Sequence, residues 1–355
     1  MDDAGALRAE LADHLLGSGA LRDSQWHNAF RAVPRHGFLP WFYRQLADGD
    51  WERITAGDPR WLELVYADRV WVTQFDGDDT VTGGTPTCSS SMPTIMAIML
   101  EALEVHSGQS VLEVGTGTGY NAALLCHVTG SGNVTTIDVD PDISARARER
   151  LHANGFSPTC VTGDGALGHP ARAPYDRLLA TCSVATIPPA WLEQTRPGGL
   201  VVTTLHRPIG AGLVRLVSGG DGTGEGRVLP EDGRFIPLRA HALPPAFAGA
   251  GEFDRRATTV PFATVVDPAS PFEFFAGISL PDVVAGPNRL AHSDGSWVHH
   301  RRAHVDQGGP RRLWDIAEDA LAQWRDLGEP RRADFGVTVA HDVQHLTLGE
   351  LSWPL

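Results

Sequence analysis

Along the chain the spacing of apolar positions changes three times. Residues 6–16 set Ala and Leu at helical spacing, and residues 51–72 are rich in Trp and Leu, so residues 1–86 read as helical segments joined by loops. From residue 110 short apolar runs alternate with helical stretches. The runs are 111–114, 134–138, 159–161, 177–180 and, after Pro197-Gly198-Gly199, 200–205; the helical stretches are 120–128 and 141–153. Strand–helix–strand repetition of this kind predicts a doubly wound α/β fold with a mainly parallel sheet. Beyond residue 205 the helical period stops. Segments 213–217 and 226–229 flank a Gly-rich stretch and predict an antiparallel hairpin, and 235–238 predicts one more strand. Residues 241–257, rich in Ala, Pro and Gly, read as a linker. The remainder predicts a helix over 313–326, closed by Gly328 and Pro330, and a strand pair at 335–339 and 343–348. The expected organisation is a helical N-terminal region (1–86), an α/β core (87–240), the linker (241–257) and an α+β C-terminal extension (258–355).

Composition narrows the function classes. With 355 residues, 42% hydrophobic and 20% charged, the chain can bury a core without disulfides or metal, and a wholly disordered chain is excluded. No apolar run approaches the ~20 residues of a membrane span, and the acidic N-terminus lacks a basic-then-apolar leader. A cytoplasmic protein with no membrane partner is expected. The net charge of −14 opposes a nucleic-acid partner, and the pairs Arg301/Arg302, Arg311/Arg312 and Arg331/Arg332 read as a solvated face. Cys88, Cys126, Cys160 and Cys182 have no metal-ligand spacing, so reduced thiols and no metal site are expected.

The chemistry concentrates in the run from Val111 through Glu113, Gly115, Thr116, Gly117 and Gly119 to Tyr120. A strand should end at Gly115 and a helix begin after Gly119. Glycine there permits positive φ and lets a ligand approach the backbone. Asp138 closes the next strand, where an acid can accept hydrogen bonds from ribose hydroxyls; Asp164 and Gly165 follow the third strand at the same sheet edge. The dinucleotide fingerprint wants glycine where Tyr120 stands, and Glu113 disfavours a pyrophosphate. S-adenosylmethionine carries a sulfonium and an ammonium and no phosphate. It is therefore the expected ligand, in preference to NAD.

Just upstream lies Thr85-Pro86-Thr87-Cys88-Ser89-Ser90-Ser91-Met92-Pro93. Ser91 or Thr94 could cap the following helix, which needs one hydroxyl. Ser89, Ser90 and Ser91 together offer donors that could hold a carboxylate. A carboxylate is already nucleophilic at neutral pH, so methyl transfer to it needs alignment rather than a general base.

These residues resemble protein-L-isoaspartate O-methyltransferases. Val33-Pro34-Arg35-His36-Gly37-Phe38-Leu39-Pro40 is similar to a segment near that family's N-terminus, and Ser91-Met92-Pro93 to its active-site loop. The glycine run, Ile137-Asp138, Gly163-Asp164-Gly165, Ala173-Pro174-Tyr175-Asp176, Pro197-Gly198-Gly199 and Gly233-Arg234-Phe235-Ile236-Pro237-Leu238 follow in order. The resemblance implies a Rossmann-like methyltransferase core, with Ser91 at the substrate carboxylate and Gly115, Gly117, Asp138, Asp164 and Gly165 at S-adenosylmethionine. It also implies a peptide or protein substrate bearing Asp or isoAsp. The long extension resembles the branch that acts on ribosomally made precursor peptides, where an Asp methyl ester cyclises to aspartimide. That substrate is the expectation, with L-isoaspartyl repair as the alternative and a non-catalytic binding module as a third reading. The extension, with Trp297, Trp314, Trp324 and the Arg pairs, is the expected peptide-docking region.

Overall fold

The computed structural model describes residues 3–76, 84–239, 252–341 and 343–355. Contacts divide the chain into two compact units. The first comprises Met1–Cys182, Pro188–Thr203 and Arg215–Gly224; the second comprises Ser183–Ile187, Thr204–Val214 and Glu225–Leu355.

The first unit opens with α1 (Asp3–Gly17) and α2 (Ser24–Ala32), the latter capped by the Asp23 carboxylate, which accepts from Gln25 N–H. The next segment departs from the helical expectation. Strands β1 (Trp41–Gln45), β2 (Trp51–Thr55), β3 (Trp71–Phe75) and β4 (Pro86–Ser90) form a sheet of order β2-β1-β3-β4, interrupted only by the short α3 (Trp61–Tyr66). Aromatic residues fit a pleated, half-buried surface, and here they pack across strands: Phe42 on Trp71 at 4.6 Å and Tyr43 on Phe75 at 5.1 Å. Residues 77–83 of the expected helical region lie outside the described residues.

The α/β core follows: α4 (Pro93–Leu103), β5 (Val111–Val114), α5 (Tyr120–Thr129), β6 (Val134–Asp138), α6 (Pro141–Ala153), β7 (Thr159–Thr162), β8 (Tyr175–Val184), α7 (Pro189–Glu193) and β9 (Thr195–Leu205). Neighbouring strands run β9-β8-β5-β6-β7, with parallel pairing from β8 to β7. This is the predicted doubly wound sheet. Val111, Leu112 and Val114 are buried because helices cover both faces of a parallel sheet. The Pro-Gly-Gly expected as a turn lies within β9. The hairpin of β10 (Gly212–Ser218) and β11 (Thr223–Val228) forms as expected, with Gly219 N–H donating to Thr223 O at its tip.

In the second unit, residues 235–238 make only an isolated parallel bridge, Ser183 to Pro237, rather than a strand. Of the expected linker, residues 241–251 lie outside the described residues, and Phe253–Ala257 is strand β12. Helices α8 (Phe262–Val266) and α9 (Glu273–Ser279) precede β13 (Val284–Gly286), β14 (Arg289–Ala291), β15 (Trp297–Arg301) and β16 (His304–Gly308). With β12 these strands form an antiparallel sheet, β12-β16-β15-β14-β13, that was not anticipated. Helix α10 (Leu313–Asp326) has the expected bounds. It is followed by β17 (Gly336–Ala340) and β18 (Val343–Leu348), near the predicted pair, and an extra strand, β19 (Leu351–Pro354). Among the described residues no helix is long and apolar enough to cross a membrane.

Candidate active site

The C-terminal ends of β5, β6 and β7 bring the candidate cofactor residues to one edge of the sheet, as the parallel topology requires. Glu113 is fully buried in β5. Its Oε2 accepts from Thr136 Oγ1 at 2.6 Å, and its Oε1 accepts from Asn121 Nδ2 at 2.7 Å. The Thr136 hydroxyl is in turn 2.7 Å from Thr116 Oγ1, so the Thr116 side chain extends this buried chain. Burial pushes the Glu113 carboxyl up to about 7, against the lowering effect of the two donors.

The three loop glycines have different reasons for being glycine. A Cβ on Gly115 (φ 95°) would sit 2.9 Å from Thr181 Oγ1, which donates to Gly115 O; the close approach of β8 explains this residue. A Cβ on Gly119 (φ 88°) would press against α6 at Leu151 and Ala147. At Gly117 (φ 52°) a Cβ would make only ordinary contacts, 3.6 Å from the Ser89 carbonyl and 3.8 Å from Cys88 Sγ. Of the three, Gly117 is the glycine that keeps backbone accessible.

Asp138 Oδ2 accepts from Gly117 N–H at 3.0 Å, and Oδ1 accepts from Asp140 N–H at 3.1 Å. The loop N–H that would otherwise face a phosphate is therefore directed at a carboxylate. That suits a cationic, phosphate-free nucleotide derivative and argues against a dinucleotide. Asp164 is exposed after β7 and caps a single 3-10 turn by accepting from Ala166 N–H; Gly165 is buried, its carbonyl accepting from Trp191 Nε1. The Tyr120 side chain is 1% exposed, set between Phe30 and Phe38, so its ring is part of the core.

The three serines separate by role. Ser89 lies in β4 with its carbonyl against Gly117. Ser90 is buried, its hydroxyl accepting from Arg35 Nη2 at 3.3 Å. Ser91 is half-buried; its carbonyl accepts from the same nitrogen at 3.0 Å, and its hydroxyl has no partner among the described residues. Neither expected cap is used. Helix α4 starts after Met92 without a side-chain cap, and Asp68 accepts from both Thr94 N–H and Thr94 Oγ1–H. The Ser91 hydroxyl is thus available for another purpose.

Arg35 is the residue whose role sequence reasoning missed. Its side chain is completely buried and donates to the carbonyls of Val65, Ala67, Arg69 and Ser91 as well as to Ser90. Burial lowers its guanidinium to about 10. An arginine is rarely buried without partners, and this one ties the serine turn to the loop after α3. The available signal was an arginine inside the otherwise apolar, Pro-flanked segment at 33–39.

A shallow cleft opens beside Gly117, lined also by Trp41, Thr73, Gln74, Arg146 and Arg150. Among the described residues no group of three His, Cys, Asp or Glu is placed to hold a metal ion.

Comparison with known proteins bears on the same residues. The family described as Protein-L-isoaspartate(D-aspartate) O-methyltransferase (PCMT) matches residues 64–241. A protein-L-isoaspartate O-methyltransferase of Ignicoccus hospitalis is 32% identical over 235 residues, covering 65% of this chain and 96% of its own. One from Anaeromyxobacter dehalogenans is 42% identical over 160 residues, covering 44% of this chain and 74% of its own. A solved protein-L-isoaspartate O-methyltransferase shares the fold with TM-score 0.58 at 22% identity, over 96% of this chain and 99% of that one. That likeness runs through the C-terminal extension, so length beyond residue 240 does not by itself set this chain apart. The aspartimide expectation, which leaned on that length, loses its support, and the relatives favour the isoaspartyl alternative.

Proposed function

Because this chain belongs to the protein-L-isoaspartate(D-aspartate) O-methyltransferase family, we propose that it methylates the free carboxylate of isoaspartyl residues in proteins or peptides. The methyl donor is S-adenosylmethionine, which supplies an electrophilic methyl group on a sulfonium. The observation that carries the reading is the junction of Ser89 with Gly117, because it sets the serine turn beside the glycine loop.

In this reading Asp138 takes the ribose hydroxyls, while buried Glu113 ties Asn121 and Thr136 together beneath the glycine loop. The Ser91 hydroxyl donates to one oxygen of the acceptor carboxylate and leaves the other directed at the methyl carbon. Arg35 fixes that turn from below. No residue need remove a proton, since the acceptor is ionised at neutral pH. Alignment of acceptor and donor accounts for the acceleration.

The test offers S-adenosylmethionine and a matched pair of peptides, one with isoAsp and one with Asp, and locates the ester by mass spectrometry. Methylation of the isoAsp peptide alone is expected. Faster methylation of the Asp peptide contradicts the proposal.

A further inference from the structure

The cleft beside Gly117 has a wall that methyl transfer leaves unused. Arg146 and Arg150 lie one turn apart on α6, and both line it opposite Trp41, Thr73 and Gln74. The Arg150 guanidinium is lowered by burial first and by its neighbour Arg146 second, so two cations share a confined space. Among the described residues neither forms an ion pair; Arg150 donates to the Phe38 carbonyl at 3.2 Å. Gln74, on the facing wall, donates to Asp140 at 3.3 Å and is fixed in place. The cysteine in the cleft is no counter-ion, because burial pushes the Cys88 thiol up to about 11. This local positive charge stands in a chain of net charge −14.

We propose that the cleft is a subsite for an acidic side chain of the substrate, one or two residues from the methylated position. It rests on the reading that the serine turn receives a peptide carboxylate. The two places share a border, since Gly117 lines the cleft and its Cβ position lies 3.6 Å from the Ser89 carbonyl. Successive residues of an extended peptide advance by roughly 3.3–3.6 Å, so a flanking side chain reaches across that border. A guanidinium presents a planar fork that matches a carboxylate, and a pair of them with no ion pair among the described residues favours an anion from outside.

The experiment measures kcat and KM on isoAsp hexapeptides carrying Glu or Gln at each flanking position. The expected result is a preference for Glu of about tenfold in kcat/KM at one position, residing in KM and shrinking as salt is raised. Arg146→Gln should bring that ratio close to one, while Arg148→Gln, which removes the same charge from an exposed position on the same helix, should keep it. Because Arg150 also holds the Phe38 carbonyl, its variant is Arg150→Lys, which retains charge, loses the fork and should lower the ratio. Equal rates for Glu and Gln peptides at every position in the wild type overturn the subsite and leave methyl transfer standing. A preference that survives Arg146→Gln overturns the assignment to this cleft. Failure to methylate any isoAsp peptide, with S-adenosylmethionine bound, overturns the functional reading and the subsite with it.

Discussion

The two units treat their buried charges in opposite ways. In the second unit they are closed against one another. Glu273, fully buried, accepts from Gly210 N–H, Arg234 and Arg332; Asp306 is held between Arg255 and Arg301, which keep its carboxyl down at about 2; Asp315 takes Arg256 and Gln307. Of the arginines expected at a docking surface, Arg301 pairs with Asp306, Arg311 with Asp294, Arg331 with Asp334 and Arg332 with Glu273. Of the expected docking aromatics, Trp314 and Trp324 are buried, and Trp297 packs on Phe253. In the first unit the polar groups around the sheet edge are less completely closed. Glu113 sits in the interior with two neutral donors and no cation, the Ser91 hydroxyl is unpartnered among the described residues, and Arg146 and Arg150 face a cleft together. Closed networks hold a fold together; groups left facing a cleft are the ones a ligand can complete. The difference leaves the groups that a ligand can complete in the first unit.

Four substitutions break or sharpen that contrast. The largest effect is expected in the second unit, from Glu273→Ala, which removes the buried acceptor shared by Arg234, Arg332 and the Gly210 N–H. Breaking a buried pair costs about 3–5 kcal/mol, and a Tm close to wild type would show that the network contributes little.

Glu113→Gln tests the uncompensated carboxyl of the first unit. An acid whose folded-state pKa lies above its unfolded value binds more protons when folded. Its contribution is therefore full below about 4.5 and is lost as pH rises through about 7. Relative to wild type, the variant should gain stability between pH 5 and 8, by up to about 3 kcal/mol. A Tm difference that stays flat over that range contradicts the buried, unpaired carboxyl.

Asp138→Ala removes the acceptor at the end of β6. Charge-assisted hydrogen bonds are worth about 1.5–3 kcal/mol each, so S-adenosylhomocysteine should bind at least tenfold more weakly in calorimetric titration. Unchanged affinity in the folded variant takes Asp138 out of the site.

The smallest effect belongs to Ser91→Ala. It should slow methyl transfer by about tenfold, equivalent to one good hydrogen bond, with cofactor affinity and Tm retained because helix α4 does not rely on it as a cap. A fall in Tm at full turnover would return Ser91 to a structural role.

The core was legible because its signals are local. Val111–Val114, Val134–Asp138 and Pro141–Ala153 have the bounds their apolar spacing and caps dictate, and the glycine loop follows from positive φ at Gly115, Gly117 and Gly119. The sheet of β12 to β16 was not legible. Two of its hairpins turn at Asn288 and Arg302, which take positive φ without glycine, so only the β14–β15 turn, at Asp294-Gly295, carries the usual hairpin signal. The four strands between residues 41 and 90 were hidden because Trp and Leu in short runs do not distinguish strand from helix. Within the site, spacing located Asp138 and Ser91 but not Arg35, whose function depends on burial and on carbonyls supplied from residues 65–69 and 91. Nor could spacing show that the Thr116 hydroxyl joins the Thr136 chain or that the Tyr120 ring packs between Phe30 and Phe38.

The most direct measurement is a crystal structure of the full-length protein with S-adenosylhomocysteine and an isoAsp peptide. The ribose hydroxyls should lie on Asp138, the sulfur beside Gly117, and the acceptor carboxylate on the Ser91 hydroxyl. A peptide carboxylate seated in the second unit, or a cofactor bound away from the glycine loop, would contradict the placement of the chemistry in the first unit.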